Sequence, residues 1–191
     1  MNVVGLDPSL TATGLARHDG TSTLKAKAGL VGMARLAWLR DQLLDFCAGA
    51  DLVVVEGYSF GTQRQASHAH ALGELGGVVR LALFEAHIPY ADCPPASLKR
   101  YATGKGNANK GQVLEAASKR SGLDFAGSSD RADAFWLRQM GIAWLFETWP
   151  GGPVEAVVGF SGYIRMPADH RAALTGIKWP GRFAAGTAVT A

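Results

Sequence analysis

The sequence predicts an α/β fold: a mixed five-stranded sheet, with its first three strands antiparallel and the next two parallel, and helices on both faces. Three observations carry this. The chain opens with two short apolar runs, Val3–Leu6 and Gly14–Ala16, separated by a polar turn containing Pro8, the signature of a hairpin. Asp51-Leu52-Val53-Val54-Val55-Glu56-Gly57 is a continuous β-branched run, typical of a strand buried on both faces of a parallel sheet. From residue 32 onward, segments of helical period alternate with strand-like ones, as crossover connections require.

The elements follow in order. Ser22 to Ala28 reads as a third antiparallel strand. Residues 32–48 place Met33, Leu36, Leu43, Leu44 and Cys47 on one helical face, and Gly49 stops the helix. After the Asp51–Gly57 strand comes the aromatic loop Tyr58-Ser59-Phe60-Gly61-Thr62, and then a long helix over residues 63–87. Gly73, Gly76 and Gly77 weaken that helix by ~1 kcal/mol each. Ala69, Gly73 and Gly77 form a smooth i, i+4 stripe, which fits either tight packing on the sheet or a contact with a second subunit. Ile88 to Cys93 is a short strand closed by Pro94-Pro95, and Ser97 is placed to cap a short helix through Leu98 and Tyr101. Lys110 to Ser121 and Asp130 to about Glu147 are the last two long helices. Trp149-Pro150-Gly151-Gly152-Pro153 punctuates the chain, dividing a domain over 1–149 from an irregular extension over 150–191, in which Pro167 to Leu174 reads as one helix.

Composition narrows the functional classes. Of 191 residues 48% are apolar and 18% charged, a globular composition. No apolar run reaches the roughly 20 residues that span a bilayer, and no basic region precedes an apolar one at the N-terminus, so neither a membrane span nor a secretory signal is expected. Cys47 and Cys93 lack metal-site spacing and read as reduced thiols of a cytoplasmic protein. The net charge of +3 is modest, but Lys99, Arg100, Lys105, Lys110, Lys119 and Arg120 stand against one acid, Glu115. Such a segment is either a solvated face or the footprint of a phosphate backbone.

The chemistry lies in the acids. Asp7 ends the first strand and Glu56 ends the central one, while Asp130 and Asp133, three apart, share one face at the start of the last helix. For the helix pair, capping is a sufficient account by itself, with Asp130 as N-cap and Asp133 at N3. Capping does not explain acids at two strand ends. Four converging carboxylates repel and partly protonate unless hard cations compensate them. Two Mg²⁺ ions would do so, with Mn²⁺ as a substitute, and would support in-line displacement at phosphorus. His68 and His70 face different ways, and His18, His87 and His170 are isolated, so no histidine site is expected.

With these residues in hand, the sequence resembles the RuvC-type Holliday-junction resolvases of the ribonuclease H-like superfamily over roughly residues 1–148. Gly5-Leu6-Asp7-Pro8 with Thr13-Gly14 resembles the family's first-strand motif, and Val54-Val55-Glu56 its second acidic motif. Leu72-Gly73 through Val78 resembles the glycine-bearing helix, Lys99 with Gly104, Gly106, Lys110, Gln112 and Val113 the lysine-and-glycine segment, and Asp130-Arg131-Ala132-Asp133-Ala134 the last acidic motif. The resemblance implies a homodimer that grips a four-way DNA junction and nicks two strands of like polarity. Asp7, Glu56, Asp130 and Asp133 would hold Mg²⁺, and Lys99 and Lys110 would contact or polarise the phosphate, with Arg100 and Lys105 in the same basic segment. The family's junction-entering aromatic falls at Ser59 here, flanked by Tyr58 and Phe60. No membrane partner or small-molecule cofactor is implied, and the setting would be a bacterial cell or a phage-infected host.

Two other classes compete. A broader nuclease acting on forks, flaps or RNA–DNA hybrids would use the same acids. A non-catalytic junction-binding protein would keep the basic segment but have no use for four convergent carboxylates. An actin-like kinase begins with a similar hairpin but needs a second nucleotide-binding half, for which 191 residues leave little room.

Overall fold

The computed structural model describes residues 1–57, 66–148 and 163–181. Its five strands are β1 (Val3–Asp7), β2 (Ala12–Arg17), β3 (Gly20–Lys25), β4 (Leu52–Glu56) and β5 (Tyr90–Cys93), in the spatial order β3-β2-β1-β4-β5. β1–β2 and β2–β3 pair antiparallel, and β1–β4 and β4–β5 pair parallel. This is the mixed, ribonuclease H-like sheet that the sequence predicts. The third strand starts earlier than expected, at Gly20, because Arg17 pairs directly with Gly20 across a tight turn in which that glycine has φ +136°.

The two-residue period of the strands divides the core between the two faces of the sheet. Val4, Leu6, Val53 and Val55 pack with Leu36, Leu39 and Leu43 of α1 (Gly32–Phe46) and with Leu75, Val79 and Leu83 of α2 (Ala66–Glu85). Val3, Leu52 and Val54 face the opposite way, into a core built from α3 (Pro95–Thr103), α4 (Lys110–Ser121) and α5 (Ser129–Thr148). Met33, expected on the buried face of α1, is exposed. Helix α1 begins only at Gly32, and its buried face is set by Leu36, Leu39 and Leu43.

Helix α5 runs unusually close to the sheet. A Cβ on Gly5 would stand 2.0 Å from the Ala134 carbonyl oxygen, and one on Gly14 would stand 1.9 Å from that of Asp130. Only glycine permits that approach. Farther along, a Cβ on Gly141 would meet Val3 and Val54 at 2.8 Å, so three glycines seat one helix on β1, β2 and β4.

Two helix starts differ from expectation. α3 begins at Pro95 with Pro94 as its N-cap, because proline at the first helical position already has a suitable φ, and Ser97 lies inside the helix. α5 begins at Ser129, and it is the Ser128 hydroxyl that accepts from the Arg131 amide, at 3.3 Å. Asp130 is therefore not the cap, which leaves its carboxylate available for another role.

Residues 163–181 form α6 (Ala168–Arg171) and a 3-10 turn over Ala172–Gly176, and they lie against α3, α5 and β5. Met166, Ala173, Leu174 and Ile177 are buried in the α3–α5 core, Trp179 stacks on Trp144 at 4.7 Å, and the Lys178 backbone makes an isolated antiparallel β-bridge with that of Asp92 at the sheet edge. His170 is buried, its Nδ1 2.7 Å from the Tyr101 carbonyl oxygen. Among the described residues no helix is long and apolar enough to cross a membrane.

Candidate active site

Asp7 lies two residues beyond Gly5 on β1, and Glu56 two beyond Val54 on β4, so both carboxylates project from the face of the sheet that carries α5. The parallel register pairs Leu6 with Val55, and the two acids occupy the next positions of adjacent strands. The first turns of α5, seated on Gly14, bring Asp130 and Asp133 over this end of the sheet. The turn after β1 is held by Thr13, whose hydroxyl donates to the Ser9 carbonyl at 2.9 Å and accepts from the Ser9 amide at 3.0 Å. Thr13 is fully buried, a supporting role that its sequence neighbourhood does not reveal.

The electrostatics are those of acids forced together. Burial pushes the Asp7 carboxyl well above its ordinary value, and the nearby charges of Glu56 and Asp130 push it further. The Asp7 and Glu56 side chains lie within hydrogen-bonding reach of each other, which two ionised carboxylates do not tolerate without a proton or a cation between them. Glu56 is also raised, by burial first and then by Asp133, although its bond to Asp7 and the cations Lys110 and Lys99 pull it down. Asp133, 7% exposed, is pushed from 3.8 to about 7 by burial and by Asp7. Like charges in a low-dielectric site titrate apart in this way.

Two lysines reach the cluster. Lys110 Nζ lies 3.6 Å from Asp130, on the first residue of α4. Its partial burial works against the charged form, but Asp130, Asp133, Asp7 and Glu56 together hold its pKa above the ordinary value. A capping box between Asn109 and Gln112 fixes this helix start, with reciprocal bonds of 3.0 and 2.9 Å. Lys99, half-buried on α3, lowers the pKa of both Glu56 and Asp133. Lys105 is not drawn to the acids and lines instead a groove of about 510 Å³ between α3 and α4, with Gln112, Glu115, Lys119 and Arg120. Arg100 is exposed on α3. Tyr58 and Phe60 lie outside the described residues, as does the side chain of Ala69.

Among the described residues no three histidine, cysteine or carboxylate side chains are gathered tightly enough to chelate one ion as they stand. The donor chemistry nevertheless fits a hard dication, because the set is all oxygen, largely buried and short of positive charge. Protonation of these carboxyls and a bound dication are alternative ways of keeping the same acids together.

The crossover junction endodeoxyribonuclease RuvC family model matches residues 3–135, a span containing Asp7, Glu56, Asp130 and Asp133. The chain belongs to the RuvC family. It is 32% identical over 145 residues to a crossover junction endodeoxyribonuclease RuvC of Sorangium cellulosum, covering 70% of this chain and 80% of the relative. A Gloeobacter violaceus protein of the same name is 28% identical over 174 residues, covering 84% and 97%. The fold matches T. thermophilus RuvC in complex with Holliday junction substrate at a TM-score of 0.60, with 26% identity over 72% of this chain and 90% of that one. A Thermus thermophilus RuvC structure matches at 0.57 with 25% identity. The RuvC family model ends inside α5, so residues 163–181 lie beyond it.

Proposed function

We propose that this chain is a structure-selective endodeoxyribonuclease that resolves four-way DNA junctions by paired nicks. The observation that carries the reading is the cluster itself: in a RuvC-family chain, two neighbouring strands end in acids, one helix adds two more, and Lys110 stands 3.6 Å from Asp130. Burial and mutual repulsion, not helix capping, govern three of these carboxyls.

Asp7, Glu56, Asp130 and Asp133 would hold Mg²⁺, two ions by the number of acids, with Mn²⁺ as substitute. When bound, such ions supply an activated water and stabilise the departing 3′-oxygen. The protein's own residues position the phosphate. Lys110 presents an ammonium, kept charged by four carboxylates, toward the scissile group, and Lys99 approaches from α3. The glycine contacts under α5 fix the distance between the helix acids and the strand acids, so the site is preorganised before DNA arrives.

Paired nicks require two active sites related by a two-fold axis. The face of α2 that includes Gly73 and Gly77 supports this reading. Among the described residues a Cβ at Gly77 would meet nothing within 4 Å, and Leu81 and Phe84 continue the stripe with 56% and 69% exposure. An exposed apolar stripe of that kind fits a second copy of the chain. The cell containing the DNA would be bacterial or phage-infected.

Cleavage of a four-way junction, a fork, an RNA–DNA hybrid and a linear duplex, compared in Mg²⁺ at equal concentration, tests the substrate. The proposal requires preference for the junction with symmetric nicks. Equal cutting of fork or hybrid would favour the broader nuclease.

A further inference from the structure

Arg138 is a cation that the cleavage site does not use. It lies on α5 with 5% exposure, and its Nε donates to the Val3 carbonyl oxygen at 3.2 Å. No salt bridge pairs it with a carboxylate among the described residues. A buried guanidinium without a counter-ion is costly, and burial lowers its pKa, with only Asp19 opposing.

Arg138 lines a cavity of about 330 Å³ between the β2–β3 hairpin, the end of α4 and α5. That volume is within the range of small-ligand sites. Val3 begins β1 and Asp7 ends it, which separates the cavity from the catalytic acids by roughly 13 Å along the strand. Arg17 and Arg120 also line it, against a single acid, Asp19. Both Asp19 oxygens already accept from Arg17 Nε, at 2.9 and 3.0 Å. Among the described residues neither Arg120 nor Arg138 forms a salt bridge, so the cavity carries a surplus of positive charge. Phe135, Tyr163 and Ile164 give the cavity an aromatic and apolar wall, with Tyr163 held by stacking on Phe146 at 5.1 Å.

A long arginine stem that packs on apolar surface with its head in water would account for Arg138 alone. It does not account for a second arginine and an aromatic wall at the same cavity. Two guanidinium forks match a dianionic phosphate monoester better than a single carboxylate, and a recessed fork is out of reach of a duplex backbone lying on the surface. We propose that this cavity binds a phosphate monoester carried on an aromatic body, a ligand of the mononucleotide class, with Arg138 and Arg120 on the phosphate and Phe135 and Tyr163 beside the base. A free mononucleotide and the 5′-phosphorylated end of a DNA strand present this same chemistry.

Isothermal titration of the full chain in EDTA tests the assignment, with dTMP, thymidine and inorganic phosphate as probes, and with short oligothymidylates carrying a 5′-phosphate or a 5′-hydroxyl. The expected result is saturable binding of dTMP or of the phosphorylated oligonucleotide, with thymidine and phosphate at least about tenfold weaker than the preferred probe. Arg138→Met and the surface variant Arg120→Ser are each expected to weaken the preferred probe by about 10- to 100-fold, the loss of a charged hydrogen bond. Preference for dTMP identifies a free nucleotide, and preference for the 5′-phosphate over the 5′-hydroxyl identifies a DNA end. No saturable binding of either at millimolar concentration overturns the proposal. So does binding that Arg120→Ser, shown folded by its melting curve, leaves unchanged, or inorganic phosphate binding as tightly as dTMP.

Discussion

Gly14 of β2 lies so close to Asp130 of α5 that a single added carbon would stand 1.9 Å from the Asp130 carbonyl oxygen. Gly14 also pairs with Asp7 across the β1–β2 ladder, so one glycine sets the separation between the first strand acid and the helix acids. The clash would be with backbone, which cannot rotate out of the way. Gly14→Ala is therefore expected to lift the start of α5 and to cost about 1–3 kcal/mol or more of stability, the range for overpacking. Cleavage by the fraction that remains folded should fall with it. Urea unfolding and single-turnover cutting measure the two effects, and a variant with parental values of both would show that α5 is not seated as described.

That contact also marks where sequence reasoning stops. Asp7 and Glu56 were legible because an apolar strand that ends abruptly in an acid is a local pattern. The period of two then placed both acids on one face. Gly5 and Gly14 sit in the same motifs, yet their purpose depends on a helix more than a hundred residues away, which no local pattern encodes. Asp130 reads from the sequence as either cap or site, and in the fold the Ser128 hydroxyl takes the capping role. Met33 misled because helical spacing alone does not say where a helix begins to touch the sheet. Arg138 gave no signal at all, since one arginine in an apolar helix reads as a surface residue until its surroundings are known. Pro167 to Leu174 reads as a helix and is one in part, but a short helical stretch among glycines does not announce its packing on α3 and α5.

The raised carboxyls tie stability to pH. In the metal-free fold Asp133 titrates near 7, against an ordinary 3.8, so between those values the folded chain binds more protons than the unfolded one. The stability from this group is fully present below 3.8 and is lost as pH rises through about 7, at up to ~1.4 kcal/mol per pH unit. Burial and repulsion act on Asp7 and Glu56 in the same direction. Urea unfolding in EDTA is expected to show stability falling from about pH 4 to about pH 7, with a shallower fall in Asp133→Asn. Adding Mg²⁺ should raise the midpoint more at the higher pH. A flat profile in the parent protein would show that the acids are not crowded as described.

The α2 stripe separates folding from assembly. A Cβ at Gly77 meets nothing within 4 Å among the described residues, so Gly77→Leu is expected to leave the core intact and to gain helix propensity of about 0.8–1 kcal/mol. If this face joins two protomers, the bulk drives them apart. Light scattering is then expected to show a loss of mass toward the monomer, with no lowering of the melting temperature of the monomeric form. On a cruciform plasmid the product should shift from linear, which needs two coupled nicks, to open circle. Unchanged mass with mainly linear product would place the two-fold contact on another face.

The central claim is that the acid cluster of Asp7, Glu56, Asp130 and Asp133 cuts, while the basic surface binds. Asp7→Asn addresses it most directly, because it removes a carboxyl raised by burial and by its acidic neighbours, alters little volume and leaves Lys99, Arg100, Lys105 and Lys110 in place. The measurement is cleavage of a four-way junction in Mg²⁺, made beside junction affinity in Ca²⁺ or EDTA. The account predicts affinity close to that of the parent and a cleavage rate lower by at least about a hundredfold, in line with the several kcal/mol that metal-assisted displacement supplies. Cleavage by Asp7→Asn at the parental rate would contradict it.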